Sequence, residues 1–297
     1  MRILIKLKSL QNAKYEIIHG YIIQGFIYNL LKDTEFAWVH SYKGYKYFTF
    51  SNIFPIKDFE IDKEYQFIIS SPNKKFILVL YKKLNEIDKN IKLGTLDFEI
   101  INIKKFDLEL KFPWRNYTPI VLRKGKEVYI SNGFNHLKIF LKDVKILKEK
   151  GFIKQKLNLK LDNVKEISIK DLDNIPKDKY RIIKIKDIYY EFKKGDNFFE
   201  WLEDLKRQSI EKYNLYTGKE FNFDEPLFDS LELHKEVSVS LRIKDRGDII
   251  YKGSLWKTLN VKRKLDPSER KFYKFLMDTG LGSLNSLGFG FINPVKD

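Results

Sequence analysis

The stretch GLGSLNSLGFGF, Gly280–Phe291, places four glycines within eleven positions near the end of the chain. A helical pattern that stops at Gly280 precedes it, and the run GFGFIN predicts a returning strand. Glycine adopts backbone conformations that other residues avoid, and it lets another group approach closely. Two interpretations of this helix–loop–strand connection remain. Either the glycines only permit a tight turn, or exposed N–H groups hold an anionic backbone together with Asn285 and Ser286.

The surroundings of this stretch exclude two nucleotide-binding motifs. A phosphate-binding P-loop requires Gly-Lys-Ser or Gly-Lys-Thr after the glycines, and the chain has neither there. A dinucleotide-binding fingerprint requires a strand before the glycines and a helix after them, which is the reverse of the order here. An enzyme that uses a nucleotide through either motif is therefore disfavoured.

The hundred residues before this stretch predict a helix, a long hairpin and a second helix. Asp266-Pro267-Ser268-Glu269 combines an N-cap, a proline at the first helical position and the glutamate of a capping box. EVSVSLRIK alternates apolar and polar residues, and the turn DRGD leads it into IIYKGSLWKTLNV, which predicts a hairpin. An earlier helix is predicted from the spacing of Phe198, Leu202 and Leu205.

The first hundred residues predict the same kinds of element. Ile3, Ile5 and Leu7 alternate as on a strand, and apolar residues from 20 to 32 recur as on a helix. Strands are predicted at about 46–53 and 64–71, a helix after the turn SSPN, and a last strand at TLDFEI. The order β-α-β-β-α-β is that of ferredoxin-like domains, which include RNA-recognition modules.

The whole chain is therefore predicted to be an α+β protein with two tandem ferredoxin-like (RRM-like) domains. Its 297 residues suffice for two domains of ordinary size. We expect the first domain to span 1–112 and the second 113–297. The second would contain an insertion at about 134–194, where lysine-rich, strand-prone sequence has little turn punctuation, and the glycine-rich loop at 280–290.

The charge of the chain indicates its class of partner. Lys and Arg number 56 against 40 Asp and Glu, which gives a net charge of +16. Such an excess favours a polyanion such as nucleic acid or an anionic membrane face, although a solvated lysine-rich surface has the same composition. The chain has no cysteine, which excludes disulfides, zinc–thiolate sites and cysteine nucleophiles. The start MRILIKLKSLQ does not resemble a signal peptide, and no run of about 18 apolar residues predicts a membrane span, so we expect a cytoplasmic location.

Three stretches of the chain resemble one known family. Gly-hydrophobic-Gly, five residues and again Gly-hydrophobic-Gly near the C-terminus, with the phrase NSLGFG, is similar to the signature of the CRISPR repeat-RNA endoribonucleases. HGYIIQGFIYNLL (19–31) and HSYKGYKYFTFS (40–51) resemble the same family in wording and order. The resemblance covers residues 1–125 and 196–293, and the segment between them matches poorly.

The resemblance implies metal-independent cleavage within each repeat of precursor CRISPR RNA, with attack by the 2′-hydroxyl on the adjacent phosphate. The products would be a 2′,3′-cyclic phosphate and a 5′-hydroxyl. By position, the family's tyrosine, histidine and lysine fall on Tyr28, His40 and Lys46. The implied partners are CRISPR repeat RNA and a CRISPR effector complex, with no cofactor and a monomeric or homodimeric chain. The alternative is a non-catalytic RNA-binding subunit of the same superfamily.

The three candidate catalytic residues also make sense by their chemistry. His40 lies in a polar stretch between a predicted helix and strand, and histidine titrates near neutrality. Tyr28 lies outside the apolar stripe of its helix, and Lys46 would stabilise charge on the pentacoordinate phosphate. Lys43 competes with Lys46 for that role, and His19 is the reserve histidine. An idle surface position is the other interpretation of each.

A second group of residues is predicted to bind RNA. Strand parity directs Arg242 and Lys244 away from the apolar face of EVSVSLRIK, and Arg246 lies at the tip of the hairpin. Ordinary surface charge is the alternative for these three. The glycine-rich loop supplies the other candidates, Gly282, Ser283, Asn285 and Ser286.

Overall fold

A computed structural model describes residues 1–17, 20–155, 161–243 and 247–295. The chain divides into two compact units. The first unit combines Met1–Val121 with Glu191–Asp297, and the second is Leu122–Tyr190. The first unit contains both ferredoxin-like halves of the chain.

The N-terminal half is a five-stranded antiparallel sheet with two helices. Its elements are β1 (Arg2–Ser9), α1 (Gly20–Leu31), β2 (Thr49–Phe50), β3 (Glu64–Ser70), α2 (Lys74–Glu86), β4 (Asn90–Leu93) and β5 (Leu96–Phe106). The strand order is β2-β3-β1-β5-β4. Apart from the added edge strand β4, this is the ferredoxin-like order, with the first strand of the chain at the centre.

The core of this half follows from the predicted alternation. Ile3, Ile5 and Leu7 of β1 are completely buried, and the apolar stripes of α1 and α2 pack over them. Asn73, the last residue of the SSPN turn, caps α2 by accepting a hydrogen bond from the N–H of Phe76. The helix therefore begins directly after this turn.

Two details of the prediction for this half are wrong. The predicted β-α-β-β-α-β order omits β4, a four-residue strand that pairs with β5 as a hairpin across Gly94. The strand predicted at about 46–53 is reduced to Thr49–Phe50, which pairs with β3 at the edge of the sheet. Beyond it, the backbone N–H of Ser51 donates to Ile68 O, and an isolated bridge joins Phe54 to Gln66.

After β6 (Trp114–Asn116), the chain forms the second compact unit. Its elements are β7 (Arg123–Ser131), β8 (His136–Leu141), α3 (Lys145–Glu149), β9 (Ile153–Lys154), β10 (Lys165–Glu166) and β11 (Arg181–Tyr189). The strand order is β10-β8-β7-β11-β9, and a small core lies on one face of this sheet. The unit therefore has a sheet and a core of its own.

The C-terminal half is completed by α4 (Phe198–Thr217), β12 (Ser230–Ile243), β13 (Gly247–Asn260), α5 (Pro267–Thr279) and β14 (Ile292–Pro294). Its strand order, β12-β13-β6-β14, repeats the ferredoxin-like order. The α+β class with two tandem ferredoxin-like domains, the second one elaborated, is therefore confirmed. The boundary at 112/113 and the insertion range 134–194 stay predictions.

The local signals of this half behave as the sequence indicates, with one exception. β12 and β13 pair as the predicted hairpin, and Asp266 and Glu269 form both halves of the capping box of α5. The exception is GFGFIN, of which only Ile292 onward is a strand. Gly288 and Gly290 have φ values of +85° and +69°, so the backbone there is left-handed rather than extended.

Candidate functional site

The glycine-rich loop of the C-terminal half packs against α1 of the N-terminal half. Gly20, Gln24 and Tyr28 recur at a spacing of four residues and share one face of that helix. Gln24 Nε2 donates a hydrogen bond of 2.7 Å to the carbonyl oxygen of Ser286. A Cβ on Gly20 would lie only 2.1 Å from the carbonyl oxygen of Leu287. The loop therefore approaches the backbone of α1 as closely as the absence of a side chain permits.

The three candidate catalytic residues lie together at the end of this face. Lys46 Nζ donates hydrogen bonds to the hydroxyl of Tyr28, at 2.7 Å, and to the carbonyl oxygen of His40, at 3.2 Å. The ring of His40 meets the ring of Tyr28 edge to face, with 5.2 Å between the centroids. Lys46 Nζ also lies 4.7 Å from the centroid of the Tyr28 ring. The structure thus brings Tyr28, His40 and Lys46 into mutual contact.

Buried neighbours hold the connection between α1 and β2 in place. Phe36 and Val39 are buried in the core, and His40 ends the 3-10 turn Ala37–Val39 with its backbone N–H bonded to Ala37 O. On the other side of the site, Phe48 is completely buried immediately after Lys46 and Tyr47. The exposed side chain of His40 and the half-buried side chain of Lys46 are therefore carried on a segment that is fixed at both ends.

Burial changes the acid–base properties of two of these groups. It raises the pKa of Tyr28 to about 12, an increase that the neighbouring Ser286 side chain partly opposes. Burial also lowers the pKa of Lys46 below the ordinary lysine value. At neutral pH Tyr28 is therefore a hydrogen-bond donor rather than a base.

A cavity of about 220 Å³ opens beside Lys46. It lies between the α1–β2 connection and the glycine-rich loop, and its lining includes Lys43, Tyr45 and Ser286. Lysines, tyrosines, an amide and hydroxyls dominate the described lining, which has no carboxylate. A cavity with these groups suits an anion that carries an aromatic or polar substituent.

Lys212 of α4 forms the inner wall of this cavity and supports the loop. Only 2% of the residue is exposed, and its Nζ donates to Gly280 O at 2.6 Å and to Asn285 Oδ1 at 3.0 Å. Burial lowers the pKa of Lys212 to about 7. Lys212 therefore connects the first residue of the loop, Gly280, to Asn285 in its middle through hydrogen bonds.

The predicted RNA-binding residues of the loop occupy different environments. Asn285 uses its whole amide, because Nδ2 donates to Leu281 O and Phe289 O while Oδ1 accepts from Lys212. The backbone N–H of Ser283 donates to Val121 O, and the serine hydroxyl accepts from Gln208. Gly282 has φ +70° and lies against Val121. Asn285 and Ser286 line the cavity beside the candidate catalytic residues. Gly282 and Ser283 lie on the other side of the loop, where they contact Val121 and Gln208.

The predicted basic hairpin is described only in part. Arg242 belongs to β12, where it pairs with Asp248 of β13 in the strand register. Lys244 and Arg246 lie outside the described residues, as does His19, the reserve histidine. The RNA-binding roles of Arg242, Lys244 and Arg246 stay predictions, as does the role of His19.

Three positions of the site were not singled out from the sequence. Gly20 and Gln24 belong to HGYIIQGFIYNLL, where their spacing from Tyr28 was the available signal. Lys212 offered no signal, because a single lysine in a helix of this basic chain is most often exposed. All three contact the glycine-rich loop.

Neither a membrane span nor a metal-binding cluster is found in the described part of the chain. No described helix combines the length and apolar character needed to cross a bilayer. Among the same residues, no three His, Cys, Asp or Glu side chains converge as a metal site would require.

Comparisons with known proteins give a consistent result. Residues 179–294 match the family model for the CRISPR associated protein Cas6, C-terminal. The chain is 33% identical to the CRISPR-associated endoribonuclease Cas6 2 of Methanocaldococcus jannaschii, over 100% of both chains. The solved structure of a Cas6-related gene product from Pyrococcus furiosus has a TM-score of 0.59 at 20% identity, covering 100% of this chain and 99% of the other.

A further solved structure, described as an RAMP protein binding different RNA substrates, has a TM-score of 0.60 at 16% identity over 100% of both chains. At identities of 20% and 16%, the two solved structures support the fold alone. The relative from Methanocaldococcus jannaschii, at 33% identity over the full length, shows the family.

Proposed function

Since the chain belongs to the Cas6 family of CRISPR-associated endoribonucleases, we propose that it cleaves precursor CRISPR RNA within the repeats without a metal ion. The 2′-hydroxyl of the RNA attacks the adjacent phosphate and leaves a 2′,3′-cyclic phosphate and a 5′-hydroxyl. The observation that carries this proposal is the contact of Lys46 Nζ with the Tyr28 hydroxyl at 2.7 Å, with the His40 ring against the same tyrosine.

The reaction needs two proton transfers and a counter-charge. A proton leaves the 2′-oxygen as its bond to phosphorus forms, and another reaches the 5′-oxygen as its bond to phosphorus breaks. The imidazole of His40 is exposed, so it can reach the RNA and accept the first proton. Tyr28 stays protonated because burial raises its pKa to about 12, so it donates towards the departing 5′-oxygen.

Lys46 stabilises the negative charge that develops on the phosphate. Its ammonium group is held by Tyr28 and by the His40 carbonyl before any RNA binds, so little reorganisation is needed. Partial burial strengthens the interaction, because charges interact more strongly where water is excluded.

The glycine-rich loop forms the other wall of the proposed site. Ser286 lies between Gln24 and the cavity, and Asn285 is fixed by Lys212, so the loop presents a rigid surface to the RNA. Gly282 and Ser283 contribute by maintaining that shape. The hairpin cations Arg242, Lys244 and Arg246 extend the binding surface through phosphate contacts.

The proposed partner is CRISPR repeat RNA, and the product passes to a CRISPR effector complex. We place the reaction in the cytoplasm, with the chain as a monomer or homodimer. The net charge of +16 supports a nucleic-acid substrate.

The test is a cleavage assay on a repeat RNA in the presence of a chelator. We expect cleavage to continue with EDTA and to stop when a single 2′-deoxynucleotide precedes the scissile phosphate, because the nucleophile is then missing. Mass spectrometry of the 5′ product would identify the cyclic phosphate. Cleavage of the deoxy substrate would refute the proposed nucleophile. Tight binding without cleavage would favour the non-catalytic RNA-binding subunit.

A further inference from the structure

The second compact unit, Leu122–Tyr190, carries more than its share of positive charge. It has 18 Lys and Arg against 9 Asp and Glu, a net charge of +9 out of the +16 of the whole chain. The unit comprises 69 of the 297 residues. More than half of the excess charge therefore lies in a unit that contains none of the candidate catalytic residues.

One face of the sheet in this unit packs against the hydrophobic core of the unit. Val128 and Ile130 of β7, Ile139 and Leu141 of β8 and Ile182 of β11 are buried, and Leu147 of α3 packs with them. Because side chains alternate along a strand, the residues between these belong to the opposite face. That face is available for contacts outside the unit.

Two aromatic rings are neighbours on this outer face. Tyr129 of β7 pairs with Lys138 of β8, and Phe140 pairs with Glu127, so Tyr129 and Phe140 are diagonal neighbours across two strands. Phe140 is 44% exposed. Its ring lies over Gly125, where an added Cβ would come within 2.5 Å of the ring. The glycine therefore makes room for an exposed ring to lie flat on the sheet.

Lysines surround these two rings. Lys184 of β11 pairs with Tyr129 in the strand register, and its Nζ lies 5.7 Å from the centroid of the ring. Lys138 and Lys186 lie on either side of Glu127, at 3.8 and 3.9 Å from its carboxylate oxygens. Lys138 Nζ also lies 2.5 Å from Glu166 Oε1, so Glu127 and Glu166 accompany the lysines on this face. Ion pairs near a protein surface are weak, so the lysines can exchange a carboxylate for a phosphate at little cost.

We propose that this outer face, defined by Tyr129, Phe140, Lys138, Lys184 and Lys186, is a second binding surface for single-stranded RNA. Bases stack on the two rings, and the three lysines contact the phosphates on either side. Every base has a face that stacks, so binding of this kind tolerates any sequence. The surface therefore suits RNA outside the cleaved segment of the precursor, and it is independent of the proposed catalytic site.

Charge and shape favour RNA over a protein partner for this face. A protein-binding face is usually depleted in lysine at its centre, whereas here lysines flank both rings. Adjacent aromatic residues on neighbouring strands, with cations beside them, match the needs of a stacked strand of nucleotides.

The test uses the full chain and a labelled ten-nucleotide RNA that is unrelated to the repeat. Fluorescence anisotropy measures its dissociation constant with one equivalent of unlabelled repeat RNA already bound to the protein. We expect the double variant Y129A/F140A to bind the short RNA at least about ten-fold more weakly, because two stacking surfaces are lost. The ring-retaining variant Y129F/F140Y should bind as the wild type does. The exposed Phe199 of the first unit provides the matched control, F199A.

A second pair of variants distinguishes binding at this face from a general effect of net charge on RNA affinity. The triple variant K138Q/K184Q/K186Q removes three charges from the outer face. The control K145Q/K148Q/K170Q removes three exposed charges from α3 and the 3-10 turn Ile169–Asn174. Leu147 and Leu172 of these two elements pack on the core face. We expect the first triple variant to weaken binding several-fold more than the second.

Two outcomes would overturn the proposal: equal weakening by both triple variants, or unchanged binding by Y129A/F140A. A change in oligomeric state without a change in RNA affinity would instead identify a protein contact. Cleavage of a single repeat by every face variant should equal that of the wild type, so this test and that of the catalytic site fail independently.

Discussion

The two ferredoxin-like halves share one strand order but differ in what their connections carry. In the N-terminal half, the connection from α1 to β2 holds His40 and Lys46. The corresponding connection in the C-terminal half, from α4 to β12, contains Asp229, which accepts hydrogen bonds from the backbone of Lys262 and Arg263 and so serves the fold. The glycine-rich loop has no counterpart in the N-terminal half, where β4 occupies the equivalent connection.

Two halves with the same strand order would thus contribute to one proposed site rather than form two. In the proposed site, the N-terminal half supplies the candidate proton-transfer groups, and the C-terminal half supplies the glycine-rich loop, which contacts α1 at Gln24 and Gly20. The experiments below test this division, beginning with the half that carries the reactive groups.

The largest effect is expected for His40→Ala. General acid–base assistance is worth about 10²–10⁴ in rate, so kcat should fall by about that factor. RNA affinity should change little, because the cavity and the glycine-rich loop remain. Single-turnover cleavage and equilibrium binding of the same repeat RNA measure the two quantities separately. If the variant cleaves at the wild-type rate, His40 does not transfer a proton, and His19 becomes the residue to test.

Lys46 is expected to have the next largest effect. Lys46→Ala should lower kcat by about 10²–10³, as expected for the loss of one preorganised donor to a developing anion. Only the protonated amine stabilises that charge, and burial lowers the pKa of Lys46. The rate should therefore fall as the pH rises through that lowered value.

Lys46→Arg provides the matched control for that pH dependence. The guanidinium stays charged, so the alkaline decline of the rate should move to higher pH in this variant. The position of the decline is compared rather than the absolute rate, because the longer side chain alters the distance to Tyr28. An identical alkaline limb in both proteins would assign the decline to another group.

Gly20→Ala tests the contact between the two halves. The added Cβ would lie 2.1 Å from Leu287 O, so either the loop or the helix must shift. We expect a loss of about 1–3 kcal/mol in the free energy of unfolding, typical of overpacking. Gly25→Ala is the matched control on the same helix, since no atom lies within 4 Å of its new Cβ.

Gly25→Ala should be neutral or stabilising by up to about 1 kcal/mol, because alanine favours a helix. Denaturant unfolding of both variants measures the difference. Equal stability of the two alanine variants would mean that the loop does not need its close approach to α1.

Lys212→Met tests the support of the loop by the C-terminal half. The folded-state pKa of Lys212 is about 7, below that of an unfolded lysine, so the unfolded chain binds more protons in the window from about 7 to 10.5. The free energy of unfolding should therefore rise with pH across that window, by at most about 1.4 kcal/mol per pH unit.

The variant lacks this titration, so its stability should depend less on pH over the same range. Denaturant unfolding at several pH values compares the two proteins, and groups common to both cancel in the difference. Parallel stability curves would show that Lys212 titrates as an exposed lysine does.

Local patterns in the sequence were enough for most of the elements. The alternation of Ile3, Ile5 and Leu7 and the capping box at Asp266 each act over a few residues, so they appear in the structure where they were expected. The elements that were missed or shortened, β4 and β2, are short edge strands whose existence depends on a partner strand elsewhere in the chain. Short strands of this kind leave little periodicity to detect.

What the sequence by itself determined is the set of candidate groups and the two ferredoxin-like patterns, because these depend on residue type and spacing. The tertiary structure alone decided that Tyr28 and Lys46 are in contact, although 18 positions separate them, and that Ser286 lies beside them from far along the chain. It also decided that Lys212 is buried, which lowers its pKa. Burial and distance arise from packing between elements remote in sequence, and no local pattern records them.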